Sequence, residues 1–295
     1  CDAARFSPRS RVSEQMEDPK LAKGVIRRDV VRIVTPGTLT EDALLDDRED
    51  NTLVAVCIRG ESAGLALVEL AGGRFETLEV PTAELIDHLV RLRPAEVLLD
   101  EEPSPDTQRI AEQVRHLAGA AVTRRPAHEF APYQAERALL EHFQVATLAG
   151  FGFDTVDASL CAAGCAIQYL RETQRTALRH VTAIRRQESS TQVQIDHASW
   201  RSLEIERTLR GGEHEGSLLH AVDQTVHPMG ARTLRHWLRA PLTDRTEIEK
   251  RQDAVASLLS DGPGRGRIRQ RLRHLADIER IAGRIALGRC SPRDL

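Results

Sequence analysis

The chain has 295 residues, of which 41% are hydrophobic, 29% are charged and 3% are aromatic, and its formal net charge is −3. This length predicts two compact units with a partial third, and the apolar fraction excludes a disordered or fibrous chain. There is no run of about 18 apolar residues, so we expect no membrane span. Residues 1–11 contain no apolar core of a secretory signal, and the five cysteines show no disulfide-framework spacing, so we expect a cytoplasmic protein.

The first clear pattern is a strand and a turn. Residues 30–34 are mostly β-branched and predict a strand that stops at Thr35-Pro36-Gly37-Thr38. Proline followed by glycine is typical of a type II turn, in which the glycine takes a positive φ. Residues 41–50 then carry six acids and one arginine, which predict a solvated linker or a short surface helix. The first domain boundary is therefore predicted after residue 40.

The next segment combines strands with helices. Residues 52–80 predict three strands, and the spacers Gly60-Glu61 and Ala71-Gly72-Gly73 are so short that the neighbours must be antiparallel. The elements that follow are a helix ending before Pro94, a strand at residues 97–99, a helix through Ile110, Val114 and Leu117, a strand at residues 121–123 and a helix at about residues 133–148. This order predicts a mixed sheet with helices on its faces, in a ribonuclease-H-like arrangement.

The remainder of the chain has a helical pattern. The run Gly150-Phe151-Gly152-Phe153 is the second predicted boundary. Apolar residues at helical spacing then predict helices at about residues 160–170, 218–222, 229–238 and 248–259, and one long helix at about 268–285. The predicted organisation is thus multidomain, α/β plus all-α: residues 1–40, a mixed-sheet unit at 41–152, and a helical unit at 153–295.

A sheet of this type raises the question of nuclease activity. Phosphodiester cleavage by two metal ions requires converging carboxylates, one of them normally on the first central strand. That strand, residues 52–58, contains no acid. Asp100 ends a strand, and Glu69 and Glu84 lie on neighbouring elements, but a carboxylate at the start of a loop is the simpler interpretation of Asp100. A divergent nuclease that uses Asp100 stays open as the enzymatic alternative.

Other chemical motifs are incomplete. Residues 262–266 are rich in glycine but lack the Lys-Ser/Thr of a phosphate loop, so a turn between helices explains them better. Cys161 and Cys165 lie four residues apart, as metal ligands can, but no further Cys or His completes a site, and small buried thiols are the favoured interpretation. We therefore predict no catalytic residue, no metal site and no nucleotide-binding residue in these 295 residues.

Two basic clusters could contact nucleic acid. The arginines between residues 265 and 273 alternate around a helix instead of forming one stripe, and with those at 280, 284 and 289 they are interpreted as solvated side chains that pair with nearby acids. The other cluster precedes the first strand and supplies our candidate DNA-binding residues: Lys20, Lys23, Arg27 and Arg28.

Several motifs in one order resemble the bacterial MutS family of DNA mismatch repair proteins. They extend from about Val12 to Leu295: Glu14-Gln15-x-x-Asp18-Pro19, Val31-Arg32-Ile33-Val34-Thr35-Pro36-Gly37-Thr38, Gly150-Phe151-Gly152, Leu160-Cys161-Ala162-Ala163-Gly164-Cys165, Gln174-Arg175-Thr176, Thr225-x-x-x-Met229-Gly230-x-Arg232, Asp277-Ile278-Glu279-Arg280 and Pro292-Arg293-Asp294-Leu295. The resemblance implies the end of a mismatch-recognition domain, a connector domain and the first part of a helical core, or lever, domain.

The resemblance also implies a function for the whole protein. Members of this family resemble clamp-forming ATPase homodimers that use ATP and Mg²⁺, bind mismatched double-stranded DNA and recruit MutL. The Phe-x-Glu that wedges beside a mispaired base in that family has no counterpart here, since Phe6 is followed by Ser7 and Pro8. We therefore expect a truncated, non-enzymatic connector-plus-core segment. A MutS paralogue acting on branched DNA is a further alternative, although such paralogues generally lack the domain that residues 14–38 resemble.

Overall fold

A computed structural model describes residues 10–15, 28–41, 44–102, 105–187 and 191–292. The first described elements are two antiparallel strands, β1 (Ser10–Gln15) and β2 (Arg28–Val34), and β2 confirms the strand predicted at residues 30–34. The residues after β2 form a 3₁₀ turn, Pro36–Thr38, closed by a hydrogen bond of 3.0 Å from the Thr38 N–H to the Thr35 carbonyl. The predicted type II turn is wrong, because Gly37 does not adopt a positive φ.

Six strands form the central mixed sheet. They are β3 (Thr52–Arg59), β4 (Ser62–Glu69), β5 (Arg74–Pro81), β6 (Glu96–Asp100), β7 (Ala121–Arg125) and β8 (Arg185–Arg186), in the order β7-β6-β3-β4-β5-β8. The β3–β4 and β4–β5 pairs are antiparallel, as the short spacers predict, whereas β3–β6, β6–β7 and β5–β8 are parallel. This topology confirms the ribonuclease-H-like prediction.

Helices cover both faces of the sheet. Helix α1 (Leu85–Leu92) and helix α2 (Pro105–Gln113) pack on one face, against side chains such as Val54 and Val56. Helix α3 (Pro132–Phe143) and helix α4 (Ala158–Gln174) cover the other face, against Leu53 and Ala55. The alternation along β3 follows from the pleat, since successive side chains of a strand point to opposite faces. A π-helical turn, Val114–Ala118, extends α2.

Helix α4 belongs to the core of the sheet unit. Its side chains are buried on nearly all sides, between the sheet and α3. Glycines permit this contact: a Cβ on Gly64 of β4 would lie 2.0 Å from the carbonyl carbon of Ala158, and one on Gly164 would lie 2.4 Å from the Cβ of Ala135. The sheet unit therefore extends beyond the predicted boundary at residue 152, which would divide this core.

The rest of the described chain is helical. Helices α5 (His197–Ser202), α6 (Leu218–Val222), α7 (Pro228–Arg239), α8 (Arg245–Ser260), α9 (Gly262–Leu272) and α10 (Ile278–Ala286) follow one another. The single long helix predicted at residues 268–285 is wrong, because Asp277 caps α10 by accepting a hydrogen bond from the Arg280 N–H. Apolar side chains of α8 to α10 are exposed, among them Val255, Leu259 and Ile285. Within the described ranges, no helix is long and apolar enough to cross a membrane.

Candidate functional site

The turn at residues 35–38 is held to the sheet by one buried carboxylate, that of Glu96. Its Oε2 accepts hydrogen bonds from the Thr35 hydroxyl at 2.5 Å and the Gly37 N–H at 3.0 Å. Its Oε1 accepts from the hydroxyls of Thr123 at 2.6 Å and Tyr169 at 2.7 Å. Four donors thus compensate for the burial of the carboxylate, and they connect the turn to β6, β7 and α4.

Gly37 is required by this close contact. A Cβ at position 37 would lie 2.8 Å from the Cβ of Glu96 and 2.9 Å from Cδ1 of Leu53, distances that real Cβ atoms essentially never show. The Pro-Gly pair therefore serves close packing and leaves the Gly37 N–H free to reach the carboxylate.

Arg280 of α10 is enclosed by the acidic segment at residues 44–50. Its side chain is 3% exposed, and Nη2 donates to the carbonyls of Asp46 at 2.9 Å and Glu49 at 2.8 Å, while Nη1 lies 3.3 Å from Oδ1 of Asp47. The side chains of Asp46, Asp47 and Arg48 are exposed, as predicted for a solvated linker, but backbone carbonyls of the segment also surround a buried guanidinium. The interpretation of Arg280 as a solvated arginine is wrong because its side chain is buried, although it does pair with a nearby acid, Asp47.

Arg232 of α7 makes a second buried connection. Its guanidinium donates to the Asp47 carbonyl at 2.9 Å, to both carboxylate oxygens of Asp277 at 2.7 and 3.0 Å, and to Glu279 at 2.9 Å. Burial would raise the pKa of Asp277, but the hydrogen bonds and charge of Arg232 hold it below its ordinary value. Likewise, burial opposes the charge of Arg232, yet the hydrogen bonds of Asp277 and Glu279 raise its pKa.

Arg289 contacts two other parts of the chain at once. Nη1 donates to the Thr40 hydroxyl at 2.8 Å, and Nη2 donates to Oε1 of Gln174 at 2.8 Å. Both acceptor residues are buried. Burial, together with the nearby charge of Arg32, lowers the pKa of Arg289. We call the set formed by the contacts of Glu96, Arg232, Arg280 and Arg289 the junction.

A polar cavity of about 160 Å³ lies beside the junction, between the sheet and α7. Asp50, Glu69 and Arg74 line it, and Arg74 pairs with Asp50 at 2.8 Å. Burial would raise the pKa of Asp50, but the charge of Arg74 lowers it, whereas burial and the neighbouring Asp50 raise the pKa of Glu69. Both acids therefore lie near Arg74, but the ion pair is formed by Asp50, which also lies 3.7 Å from Nε of Arg232.

The acids that the nuclease alternative requires are not brought together at the end of β3 in the described part of the chain. Strand β3 carries no acid, and Oδ1 of Asp100 accepts the Glu102 N–H at 2.9 Å, as expected of a carboxylate at the start of a loop. Among the described residues, no group of three or more His, Cys, Asp or Glu side chains is placed to hold a metal ion. Nothing in this geometry favours the nuclease alternative.

The cysteines are brought together in a way that the sequence pattern did not predict. Because α4 packs on β3, the thiols of Cys57 and Cys161 interact, although the predicted boundary separated them. The hydrogen bond from Cys57, followed by burial, raises the pKa of Cys161, and burial raises that of Cys165. Three buried, free thiols agree with the packing interpretation.

Most of the candidate DNA-binding residues, Lys20, Lys23 and Arg27, lie outside the described residues. Arg28 is exposed at the start of β2. The junction residues were missed as functional candidates, although Gly37, Arg232 and Arg280 stand in the motifs that carried the family resemblance.

Comparison with known proteins matches three segments of the chain to family models. Family models match MutS domain I at residues 9–43, MutS domain II at residues 51–182 and MutS domain III at residues 198–295. The chain is 41% identical over 311 aligned residues to the DNA mismatch repair protein MutS of Rhodopirellula baltica, and the alignment covers 97% of the chain and 34% of that relative. The chain thus spans about a third of the length of the relative. Thr40, Gln174 and Arg289, which meet at the junction, lie in the domain I, II and III matches respectively.

Proposed function

The chain belongs to the MutS family of DNA mismatch repair proteins, and on this premise we propose that its residues act as a non-catalytic relay within such a protein. In this proposal the sheet unit is the connector, and helices α5 to α10 begin the helical core. The relay transmits movement between the part of the protein that reads DNA and the part that uses ATP.

The observation that carries this proposal is the three-way contact of Arg289. One guanidinium joins Thr40 in the domain I match to Gln174 in the domain II match from its own position in the domain III match. The Glu96 and Arg280 contacts add buried connections on either side. A buried, polar joint of this kind changes between discrete arrangements instead of deforming smoothly, which suits a relay.

For the whole protein, we propose mismatched double-stranded DNA as the ligand, a homodimer as the working assembly, and ATP with Mg²⁺ as cofactors acting outside these 295 residues. Kinking costs less at a weakly stacked mispair than in paired DNA, so such a protein can recognise the defect through DNA deformability. The match to domain I at residues 9–43 favours this function over that of a paralogue acting on branched DNA.

The relay role is tested by assaying the purified chain for ATP hydrolysis and for binding to a duplex with one G·T mispair against the fully paired duplex. We expect no turnover and equal affinity for the two duplexes, with the full-length relative as the positive control. Nucleotide turnover or clear mismatch selectivity by these 295 residues would contradict the proposal.

We propose that Lys20, Lys23, Arg27 and Arg28 contact DNA phosphates. Each phosphate contact contributes about 0.9 to the slope of log K against log salt concentration. Replacing all four by glutamine is expected to reduce the magnitude of that slope by about 3 to 4 for paired duplex DNA, so that binding depends less on salt. The control replaces Arg267 and Arg271, which are exposed on α9, by glutamine. An unchanged slope in the fourfold variant would remove these residues from the interface.

We also propose that residues 45–150 contribute to recruitment of MutL. Immobilised chain should retain MutL, and an excess of the free chain should compete with full-length protein for it. Failure to retain MutL under conditions in which the full-length relative does so would remove this role without affecting the relay.

A further inference from the structure

A groove lies between the sheet unit and the helices, away from the junction. The C-terminal end of α1, the π turn at residues 114–118 and the loop at residues 203–212 enclose a space of about 520 Å³. Its floor is apolar and consists of three side chains that form a buried cluster: Val90, Trp200 and Ile205. We call it the basic groove because of the residues at its rim.

The rim carries an excess of positive charge. Arg93, Arg201, Arg207 and His116 line the groove, and its one acidic lining residue is Glu206. Glu206 is 3% exposed and is already held by both nitrogens of the Arg239 fork, at 2.5 and 2.9 Å, with Arg93 only at 3.8 Å. In the part of the chain that the structure describes, the side chains of Arg201 and His116 have no hydrogen bond or ion pair.

Arg93 is only weakly neutralised within the fold, since its ion pair with Glu206 spans 3.8 Å. Burial, and then the repulsion from Arg207, lower the pKa of Arg93. Arg93 also ends α1 in the left-handed region, with φ 48°, a position that glycine usually occupies because it has no Cβ. An arginine at this position costs backbone energy, and its ion pair with Glu206, at 3.8 Å, is shared with Arg239.

Apolar side chains complete the groove. Leu117 is 39% exposed and Leu209 is 56% exposed, and both lie at the edge of the apolar floor. Exposed leucines beside an excess of arginines over acids are complementary to a segment that carries both apolar and acidic side chains. Nucleic acid fits less well, because the ring of Trp200 is 6% exposed and leaves no face for base stacking.

We propose that the basic groove docks an acidic segment with apolar anchors that belongs to a separate partner protein. The apolar anchors contact Leu117 and Leu209 at the edge of the floor, and the carboxylates pair with Arg93 and Arg207. This surface lies apart from the junction and does not depend on the relay role.

To test this proposal, phage-displayed 12-residue peptides are selected for binding to the purified chain. The enriched peptides are then synthesised with a fluorescent label, and their Kd for the chain is measured by fluorescence anisotropy. We expect enriched sequences that combine Asp or Glu with Leu, Ile or Phe. Their Kd should rise about tenfold or more in Arg93→Gly and in Arg207→Gln, which corresponds to the loss of a charge-assisted contact. Arg93→Gly suits this test because it removes the guanidinium and should not destabilise the fold, since glycine adopts the left-handed conformation without steric strain.

Matched controls separate charge from fold. Gln144 ends α3 in the same left-handed conformation, with φ 54°, so Gln144→Gly repeats the backbone change away from the groove. Arg210→Gln removes an exposed charge from the same loop without changing the lining. Both controls should bind the peptide like the unsubstituted chain.

Four results would overturn the proposal. The first two are that no acidic-apolar sequence is enriched, and that the peptide binds Arg93→Gly and the unsubstituted chain with equal affinity. The other two are that a 20-base-pair duplex or inorganic phosphate displaces the peptide at micromolar concentration, and that the chain self-associates in a way that Arg93→Gly abolishes.

Discussion

Replacing Arg280 by methionine tests the part of the junction that holds the acidic segment. Arg280 donates to the carbonyls of Asp46 and Glu49 at 2.9 and 2.8 Å, and its side chain is 3% exposed. Hydrogen bonds from a charged donor contribute about 1.5–3 kcal/mol each, and loss of a buried charged partner costs about 3–5 kcal/mol. Because methionine fills much of the same space, the cavity contribution is small. We therefore expect the free energy of opening of residues 44–50 to fall by about 3 kcal/mol.

Amide hydrogen exchange of this segment gives the direct readout. The Arg48 N–H donates to Oδ1 of Asp46 at 2.8 Å, and the Glu49 N–H donates to the Asp46 carbonyl at 3.2 Å. A loss of about 3 kcal/mol predicts exchange of these two amides that is faster by roughly 100-fold. Arg267→Met is the matched control, because it makes the same chemical change on the exposed surface of α9. Exchange that stays within about threefold of the unsubstituted chain, or that rises equally throughout the molecule, would refute the local role of Arg280.

Two further predictions concern pH and packing. Burial lowers the pKa of His88 from 6.5 to about 4, so the folded chain favours the neutral imidazole. The contribution of this shift to the free energy of unfolding is complete above pH 6.5 and is lost as the pH falls towards 4. The free energy of unfolding, measured in urea, should fall between pH 7 and pH 4 in both proteins, but by about 3 kcal/mol less in His88→Gln than in the unsubstituted chain. An equal fall in the two proteins would contradict the lowered pKa of His88. A Cβ on Gly283 of α10 would lie 1.8 Å from the carbonyl oxygen of Ala71, so Gly283→Ala should separate α10 from the sheet unit and cost about 2 kcal/mol or more, seen as a lower Tm. Gly266→Ala, which would meet no atom within 4 Å, should leave Tm unchanged or raise it, and equal effects of the two substitutions would argue against the close contact.

The sheet was predictable because its information is local. Spacers of two and three residues determine how β3, β4 and β5 pair, and the change of period at residue 82 marks the first helix. The boundary predicted at Gly150–Phe153 assigned α4 to the helical unit, whereas α4 packs on the sheet. Glycines in a short loop occur both between domains and within one domain, so they do not distinguish the two cases. A signal was present, since residues 160–167 of helix α4 are apolar or glycine on every side, as expected of a helix buried between two layers.

The junction was not predictable from local pattern. Glu96 is a single acid at the start of a strand, and its partner Thr35 lies 61 residues away. Arg280 and Arg289 have the spacing of solvated helical arginines, and only the fold brings them to the carbonyls of residues 46 and 49 and to Thr40. The family motifs identified these positions, but the role of each residue required the three-dimensional contacts.

The central claim, that three domains meet in one defined arrangement, is tested most directly by distance distributions from pulsed electron paramagnetic resonance. Spin labels are placed at Ser13→Cys in β1, Tyr133→Cys in α3 and Arg267→Cys in α9, two at a time, with Cys1 and Cys290 replaced by serine. Each pair should give one narrow distance distribution, and adding Arg280→Met with Arg289→Gln should broaden those that involve α9. Broad or multiple distances in the chain without those two substitutions, or distributions that they leave unchanged, would contradict the account.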